Sequence, residues 1–409
     1  MDPISLFFDS FRGLASTSSN FLIFFAPFIL GYFSWKLWIM YIQTDFISKI
    51  KWVMLEIHLP REIYKTPQAM EIILLSFDQG GKGSKYERWW KGFVQVWFSL
   101  EIVSIEGAVR FFIRVPYFYK DLIESRIYSQ FPEIEISEAP DYTEVPIPAE
   151  GHGVSLFGFE LQLTKPDPIP IKTYVEYEMH KAFLDEKQRF DPMTPMIEFL
   201  GSQGPGDQVW IQILVKAHRG RYVDAEGKQG DWRDEAKAEI KKIMEGDKKA
   251  TKEGEVPPAL RLTKAQGDNI AIIERNAAKV GLDCGIRAVY VASPGKFKVN
   301  NLPGLAGMFN AFNSADLNGF KRVNSTGFDV PWEDVDRWLH IHRLGAVRRR
   351  FFDAYKRRSY FYPPYQRKPF VLSVEELATV FHIPSAIAET PTLRRLESKK
   401  SEPPHNLPI

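Results

Sequence analysis

The segment VQVWFSLEIVSIEGAVRFFIRV, residues 94–115, decides the fold of this chain. Its two runs of β-branched and aromatic residues, Val94 to Ser104 and Ala108 to Val115, flank the pair Glu106-Gly107. Strand-forming runs on either side of a short glycine-containing turn are typical of a β-hairpin. The sequence therefore predicts two antiparallel strands here.

The segments on either side of this hairpin complete a β-α-β-β-α-β order. Before it, Trp52 to Leu59 predicts a strand, and Thr66-Pro67 supplies the start of a helix with an apolar face. After it, Tyr117 to Tyr128 predicts a helix and Glu133 to Ser137 a short strand. This order is the split βαβ, or ferredoxin-like, pattern, so we predict a first ferredoxin-like module over residues 51–140.

The same order recurs over residues 141–330. Its strands and helices are predicted at Val154–Leu163, Pro192–Leu200, Asp207–Ala217, Cys284–Ala292, Leu302–Asn313 and Gly319–Val323. The charges of residues 231–282 alternate in sign, as they do on exposed helices, and this predicts a helical hairpin inserted between the paired strands. The predicted fold class is α+β: an N-terminal transmembrane helix and two ferredoxin-like (βαββαβ) repeats, the second with an inserted helical hairpin.

An uncharged stretch near the N-terminus predicts a membrane anchor. No charge occurs between Arg12 and Lys36, and about 20 apolar residues are enough to cross a bilayer. We place the anchor at residues 21–44, after an N-terminal segment of residues 1–20. The alternatives are a buried hairpin and an interfacial helix, which Pro27 and Gly31 would tolerate.

The flanking charges predict the orientation. The cations Lys36, Lys49, Lys51, Arg61 and Lys65 follow the apolar stretch, whereas only Arg12 precedes it. Because cytoplasmic flanks carry the excess of Lys and Arg, we expect a single-pass protein of the inner membrane with its body in the cytoplasm. The single cysteine, Cys284, excludes an intrachain disulfide and suits a reducing compartment.

The motifs of common enzymes do not occur in the sequence. A P-loop needs G-x-x-x-x-G-K-[ST], and the glycine-rich stretch Gly80-Gly81-Lys82-Gly83 fails that spacing. His340 and His342 have the spacing of two metal ligands, but no third ligand is evident nearby. We therefore predict no catalytic residue, no cofactor and no metal. The net charge of +2 is too small to attract nucleic acid as a whole, so such a partner would need a local patch.

One local patch of positive charge occurs in a basic aromatic segment, residues 331–372. Its candidate contacts to nucleic acid or lipid are Arg343, Arg348, Arg349, Arg350, Lys356, Arg357 and Arg358. Seven aromatic residues are interleaved with these cations and with Arg367 and Lys368, and cations beside stacking rings are typical of single-strand binders. The alternative is an amphipathic helix whose rings enter a core while its arginines stay solvated.

The C-terminal stretch, residues 373–409, reads as a linker-like tail. Ser373 and Glu376 form a capping box that opens a short helix, and Pro384 follows its end. A polar, proline-rich sequence closes the chain. We predict that a partner docks on Phe370, Glu376, Leu377, Phe381 and His382.

This region also carries a resemblance to a known family. Phe370–Pro384, Thr390-Pro391-Thr392-Leu393 and Pro403–Pro408 are similar to the linker that precedes the motor in HerA/TraC-like ATPases of type IV secretion and conjugative transfer. Leu55–Ile63, Phe98–Ile102, Tyr128–Pro132 and Asp141-Tyr142-Thr143 also resemble the pre-motor region of that family. The chain lacks the motor's Walker motifs, so no catalytic residue can be carried over.

Two functions follow as hypotheses. The resemblance implies a non-catalytic, membrane-anchored component of a DNA-transfer apparatus. Its expected partner is a separate P-loop ATPase, and a homo-oligomer is compatible with this role. The alternative is a module that binds single-stranded nucleic acid through residues 343–368.

Overall fold

The computed structural model describes the backbone of residues 3–59, 65–144, 155–181, 190–220, 222–223, 229–246, 263–327 and 333–384. It describes the side chains of residues 25–59, 65–144, 155–181, 190–220, 230–244, 263–327 and 345–384. The side chain of Arg343, most of the predicted tail and the middle of the predicted insertion lie outside these residues. The chain divides into an anchor unit, residues 1–50, 83–94 and 362–364, and a sheet unit made of the remainder.

The described helices are α1 Pro3–Ser48, α2 Gln68–Leu74, α3 Lys85–Trp90, α4 Lys120–Gln130, α5 Thr194–Gly201, α6 Trp232–Gly246, α7 Lys264–Ala278, α8 Asn301–Gly307, α9 Glu333–Lys356 and α10 Val374–Val380. The described strands are β1 Trp52–His58, β2 Phe98–Ile105, β3 Ala108–Pro116, β4 Glu135–Glu138, β5 Ser155–Leu163, β6 Asp207–Ala217, β7 Tyr222–Val223, β8 Gln229–Gly230, β9 Gly281–Ala292, β10 Phe320–Val323 and β11 Phe370–Ser373.

The hairpin predicted from residues 94–115 is confirmed as β2 and β3. The two strands pair antiparallel from Ser99 opposite Arg114 to Ile105 opposite Ala108. Glu106 and Gly107 between them have φ angles of +54° and +88°. A two-residue hairpin turn with positive φ at both positions matches the twist of the strands, and glycine adopts it at little cost.

A large antiparallel sheet forms the sheet unit. Its path runs β10-β5-β9-β6-β2-β3-β1-β4, and β11 pairs with the first part of β9. Strands β2 and β6 pair along their length, from Phe98 opposite Val215 to Ile105 opposite Gln208. The strands predicted for residues 51–140 and for residues 141–330 therefore belong to one continuous sheet. The α+β class is confirmed at this level.

Both faces of the sheet are covered. Neighbouring strand residues separate onto two hydrophobic clusters, since Ile102 lies in the first and Val103 in the second. The first cluster includes residues of α2, α4, α5 and α10, and the second includes Phe351, Phe352 and Tyr355 of α9. Helices on both sides explain why seven of the eight residues of the central strand β2 are buried.

The structure corrects the predicted boundary of the tail. Residues 370–384 are not a linker, because β11 pairs with β9 and every residue of α10 is buried. Leu377, Val380 and Phe381 join the same core as the strands. An apolar run that reads as a short helix after Pro363-Pro364 is therefore part of the sheet unit's core.

In the anchor unit, α1 is a single helix of 46 residues. Its described part, Phe25–Ser48, is long and apolar enough to cross a membrane. Only 6% of its apolar window is buried, which distinguishes it from the core helix of a globular domain. The short helix α3 packs against it, and its start is fixed by a capping box between Ser84 and Glu87.

Candidate functional site

The predicted docking residues are part of the chain's own core. Phe370, Glu376, Leu377, Phe381 and His382 are all buried, and none is more than 4% exposed. They contact β9, α2 and neighbouring helices, so a partner cannot reach them in this fold. The prediction that these five side chains form a docking surface is wrong for this conformation.

The predicted capping box is confirmed, and it anchors α10 in the core. Ser373 Oγ accepts a hydrogen bond from the Glu376 backbone N–H at 3.2 Å, and the Glu376 carboxyl accepts one from Ser373 N–H at 2.8 Å. Its other oxygen accepts from the backbone N–H of Ile171 at 3.0 Å. Burial outweighs these contacts and raises the pKa of Glu376 to about 8.

The neighbouring acid of α10, Glu375, is also buried but lies beside two cations. Glu375 meets Lys279 at 2.7 Å and Arg275 at 3.0 Å, and Thr173 donates to it at 2.6 Å. Burial opposes ionisation, but the two cations and these hydrogen bonds outweigh it and lower the pKa of Glu375. Because Lys279 also contacts Glu71 at 2.8 Å, this cluster ties α10 to α7 and α2.

Six of the seven interleaved rings of the basic aromatic segment do not face solvent, and the seventh, Tyr362, is half-buried. Phe351, Phe352, Tyr355, Tyr360, Phe361 and Tyr365 are buried. Rings inside the core cannot stack on bases, so the interpretation as an amphipathic helix describes this segment better. Arg349, Arg350, Lys356 and Arg357 remain exposed, and Arg348 is half-buried.

Arg358 is the exception among the cations, because it is fully buried. Its guanidinium meets the carboxylate of Glu101 at two points, 3.0 Å and 3.1 Å, and also pairs with Asp141. Burial raises the pKa of Glu101, but Arg358 opposes it and holds that pKa below its ordinary value. Arg358 therefore serves the core and is not available to bind a phosphate. Its place among the candidate contacts is corrected.

A second buried ion pair lies within the sheet, and the same segment contacts it. Arg287 on β9 lies 3.6 Å from Glu160 on β5, and both side chains are at most 1% exposed. Tyr365 donates a hydrogen bond to Glu160 at 2.9 Å, and Arg367 lies 3.3 Å from the same carboxylate. These contacts position the chain between α9 and β11.

One polar pocket of about 420 Å³ opens on the sheet unit. Its lining residues are Lys82, His218, Arg219, Gly220, Gly230 and Asp231. The basic side chains here have partners within the chain: Arg219 pairs with Asp78 at 2.5 Å, His218 Nδ1 lies 2.8 Å from Asp283, and Lys82 donates to the carbonyl of Gly220 at 3.0 Å. Because these side chains are already engaged within the chain, we assign this pocket no chemistry. Among the described side chains, no cluster of three or more His, Cys, Asp or Glu could hold a metal ion.

A match to a protein family includes most of the residues described above. Residues 96–395 match DUF8128, whose description is a domain of unknown function. The chain belongs to the DUF8128 family. No curated protein matches the chain.

The DUF8128 match contains the buried contacts described above. Glu101, Arg358, Glu160, Arg287 and Glu376 all lie within it, and so do β2 to α10. Helices α1, α2 and α3 and strand β1 precede the matched residues.

Sequence reasoning missed the buried partners of this DUF8128 chain. Glu101, Glu160 and Arg287 each stand between two apolar residues inside a predicted strand. A charge inside a buried strand needs a partner, and that was the available signal. The pairing of each acid with its cation could not be predicted from the sequence, because Glu101 and Arg358 are 257 residues apart.

Proposed function

We propose that the chain is a non-catalytic, membrane-anchored component of a type IV secretion or conjugative DNA-transfer apparatus. Its role would be to position a separate P-loop ATPase at the inner membrane. The observation that carries the proposal is the exposed apolar helix α1, joined to a chain that resembles the pre-motor region of HerA/TraC-like ATPases. Apolar side chains such as Phe28 and Leu30 are more than 60% exposed, and a bilayer would cover them.

The orientation is part of this proposal. Lys36, Lys49 and Lys51 follow the apolar stretch, so the sheet unit would lie in the cytoplasm. A reporter enzyme active only in the periplasm, fused after Ile409, should be inactive, while a fluorescent protein at the same place should fold. The reverse pattern would contradict the orientation.

We also propose that the sheet unit contains two ferredoxin-like repeats. The support is topological: β2-β3-β1-β4 and β6-β9-β5-β10 are each an antiparallel set with the same internal order. In each set the first and second strands are separated by the third, as in the split βαβ pattern. In each set a helix, α2 or α5, lies between the first and second strands in the chain, and the first set also contains α3 at this place.

Docking of the ATPase is assigned to the sequence beyond Pro384. Since Phe370 to His382 are buried, what remains of the resemblance there is Thr390–Leu393 and Pro403–Pro408. The full chain, purified in detergent with the P-loop ATPase of a neighbouring gene, should retain that ATPase. Replacing residues 390–393 by Gly and Ser should weaken retention, whereas exchanging exposed Lys237 for Ala should not. Failure of the full chain to retain the ATPase, or ATP hydrolysis by the chain alone, would contradict the proposal.

One observation favours the alternative function, single-stranded nucleic-acid binding. Arg349, Arg350, Lys356 and Arg357 are exposed along the end of α9. Since the nearby rings are buried, binding would rest on phosphate contacts and fall steeply with salt. Fluorescence anisotropy with a labelled single strand at two salt concentrations tests it. Unchanged affinity after replacing Arg348, Arg349 and Arg350 by Ala would exclude this function for the patch.

A further inference from the structure

The anchor unit contains a cluster of aromatic rings contributed by α1 and α3. Trp35 meets Trp89 with ring centroids 6.1 Å apart, and Trp38 meets Trp90 at 6.3 Å. Trp38 Nε1 also donates a hydrogen bond to the backbone carbonyl of Trp89 at 3.1 Å. Helix α3 is therefore held to one side of α1 at a defined height.

A second contact with α1 fixes the backbone just after the end of α3. Gly92 has a φ of +68°, and a Cβ at that position would lie 2.1 Å from the carbonyl oxygen of Ile42. Only glycine lets the backbone approach α1 so closely. The next residue, Phe93, packs against Phe46 with ring centroids 5.6 Å apart. The backbone at Gly92 thus follows α1 about one turn beyond the rings.

The outer sides of these rings are exposed in the folded chain. The exposed aromatic residues of the cluster are Trp35, Trp38, Tyr41, Tyr86, Trp89 and Trp90, each at 40% or more. Indole and phenol rings combine an apolar body with a polar edge and concentrate where hydrocarbon meets headgroups. The cations Lys36, Lys85, Arg88 and Lys91 are interspersed with them, as suits anionic headgroups.

We propose that these rings form an aromatic collar that lies in the headgroup layer of an anionic bilayer, with α3 lying flat in the membrane surface. The collar consists of Trp35, Trp38 and Tyr41 of α1 and Tyr86, Trp89 and Trp90 of α3. This inference rests on the proposed membrane anchoring and adds where the membrane ends. It makes α3 a second membrane contact of the chain.

The length of α1 agrees with this placement. A hydrocarbon core of about 30 Å takes about 20 helical residues at 1.5 Å each. Counting about 20 residues back from Trp35, the first ring of the collar, reaches residue 16, so the counted span lies wholly inside the uncharged stretch 13–35. Beyond the collar, α1 contains the polar residues Gln43, Thr44 and Asp45, and Asp45 pairs with Lys49, just after the end of the helix, at 2.7 Å. The collar therefore lies at the boundary that the charges of α1 require.

Site-directed spin labelling of the full chain tests the proposal, because the single natural cysteine, Cys284, is buried. In a Cys284→Ala background, labels at Phe28→Cys, Tyr86→Cys, Trp90→Cys and Lys237→Cys would be examined in nanodiscs of zwitterionic and of 30% anionic lipid. Collision rates with oxygen and with a water-soluble nickel chelate report the depth of each label.

We expect Phe28→Cys to be deep, Tyr86→Cys and Trp90→Cys at headgroup depth, and Lys237→Cys in water. The two collar labels should lie deeper in the anionic nanodiscs. If Phe28→Cys is deep while both collar labels are fully accessible to the chelate, the collar is refuted and the anchor stands. If Phe28→Cys is itself accessible, the membrane anchoring in the proposed function fails as well.

Discussion

Arg358 and Glu101 form a two-point ion pair in the centre of the sheet unit, with Nε–Oε1 and Nη2–Oε2 distances of 3.0 Å and 3.1 Å. Both side chains are 0% exposed. The pair joins the segment that follows α9 to the central strand β2, and Asp141 shares the same guanidinium. A charge in this position stabilises the fold only while its partner is present.

The first prediction concerns this pair. Arg358→Ala leaves the carboxylate of Glu101 buried without its cation, so the free energy of unfolding should fall by about 3–5 kcal/mol. The neighbour Arg357 is 58% exposed and pairs with Asp353, and Arg357→Ala should change stability by less than about 1 kcal/mol. Urea unfolding in detergent measures both. An equal decrease in the free energy of unfolding for the two variants would show that the buried pair stabilises the fold no more than the exposed pair does.

The second prediction compares two glycines with opposite surroundings. A Cβ on Gly285 of β9 would lie 2.4 Å from the ring of Tyr360, whereas nothing lies within 4 Å of a Cβ on Gly267 of α7. Gly285→Ala should therefore destabilise the sheet unit, by roughly 1–3 kcal/mol, because the packed ring must shift. Gly267→Ala should stabilise by up to about 1 kcal/mol, since alanine favours a helix. The midpoints of urea unfolding should move in opposite directions, and a shared direction would contradict this account.

The sequence predicts those parts of the fold that depend on residues close together in the chain. The hairpin at Glu106-Gly107, the helices inserted before β9 and the capping box at Ser373 depend on neighbouring residues, and each was predicted from them. The joining of β2 to β6 and the burial of α10 depend on contacts between segments far apart in the chain. A run such as residues 370–383 has the same local pattern whether it enters a core or leads to another domain. The basic aromatic segment shows the same limit, because Arg358 and Arg357 are neighbours in sequence with opposite environments.

The third prediction tests the packing of the anchor unit. Gly92→Ala should displace α3 from α1, because the added Cβ meets the carbonyl of Ile42 and the φ of +68° disfavours alanine. Near-ultraviolet circular dichroism should change, since Trp35, Trp38, Trp89 and Trp90 would lose their mutual packing. Gly31→Ala on the same helix is the matched control, because its Cβ meets nothing within 4 Å. An unchanged spectrum for Gly92→Ala would mean that this contact does not hold α3.

The fourth prediction is a dependence of stability on pH that comes from Glu376. Its pKa is about 8 in the folded chain, against an ordinary value of 4.5, because the carboxyl is buried. Between these two values the folded chain holds a proton that the unfolded chain has released, so stability falls as pH rises. From pH 6 to pH 9 this group should remove roughly 2–3 kcal/mol from the free energy of unfolding.

The neighbouring residue supplies the control for this measurement. Glu376→Gln cannot ionise, so urea unfolding of that variant at pH 6 and pH 9 should lose most of the difference. Glu375 has a lowered pKa because its cations and hydrogen bonds outweigh burial, and its contribution is lost only as pH falls below its ordinary value of 4.5. Glu375→Gln should therefore lower stability at both pH values while keeping the difference between them. If Glu376→Gln retained the full pH dependence, another group would have to bind the proton. The burial of Glu376 would then not be the cause of the pH dependence.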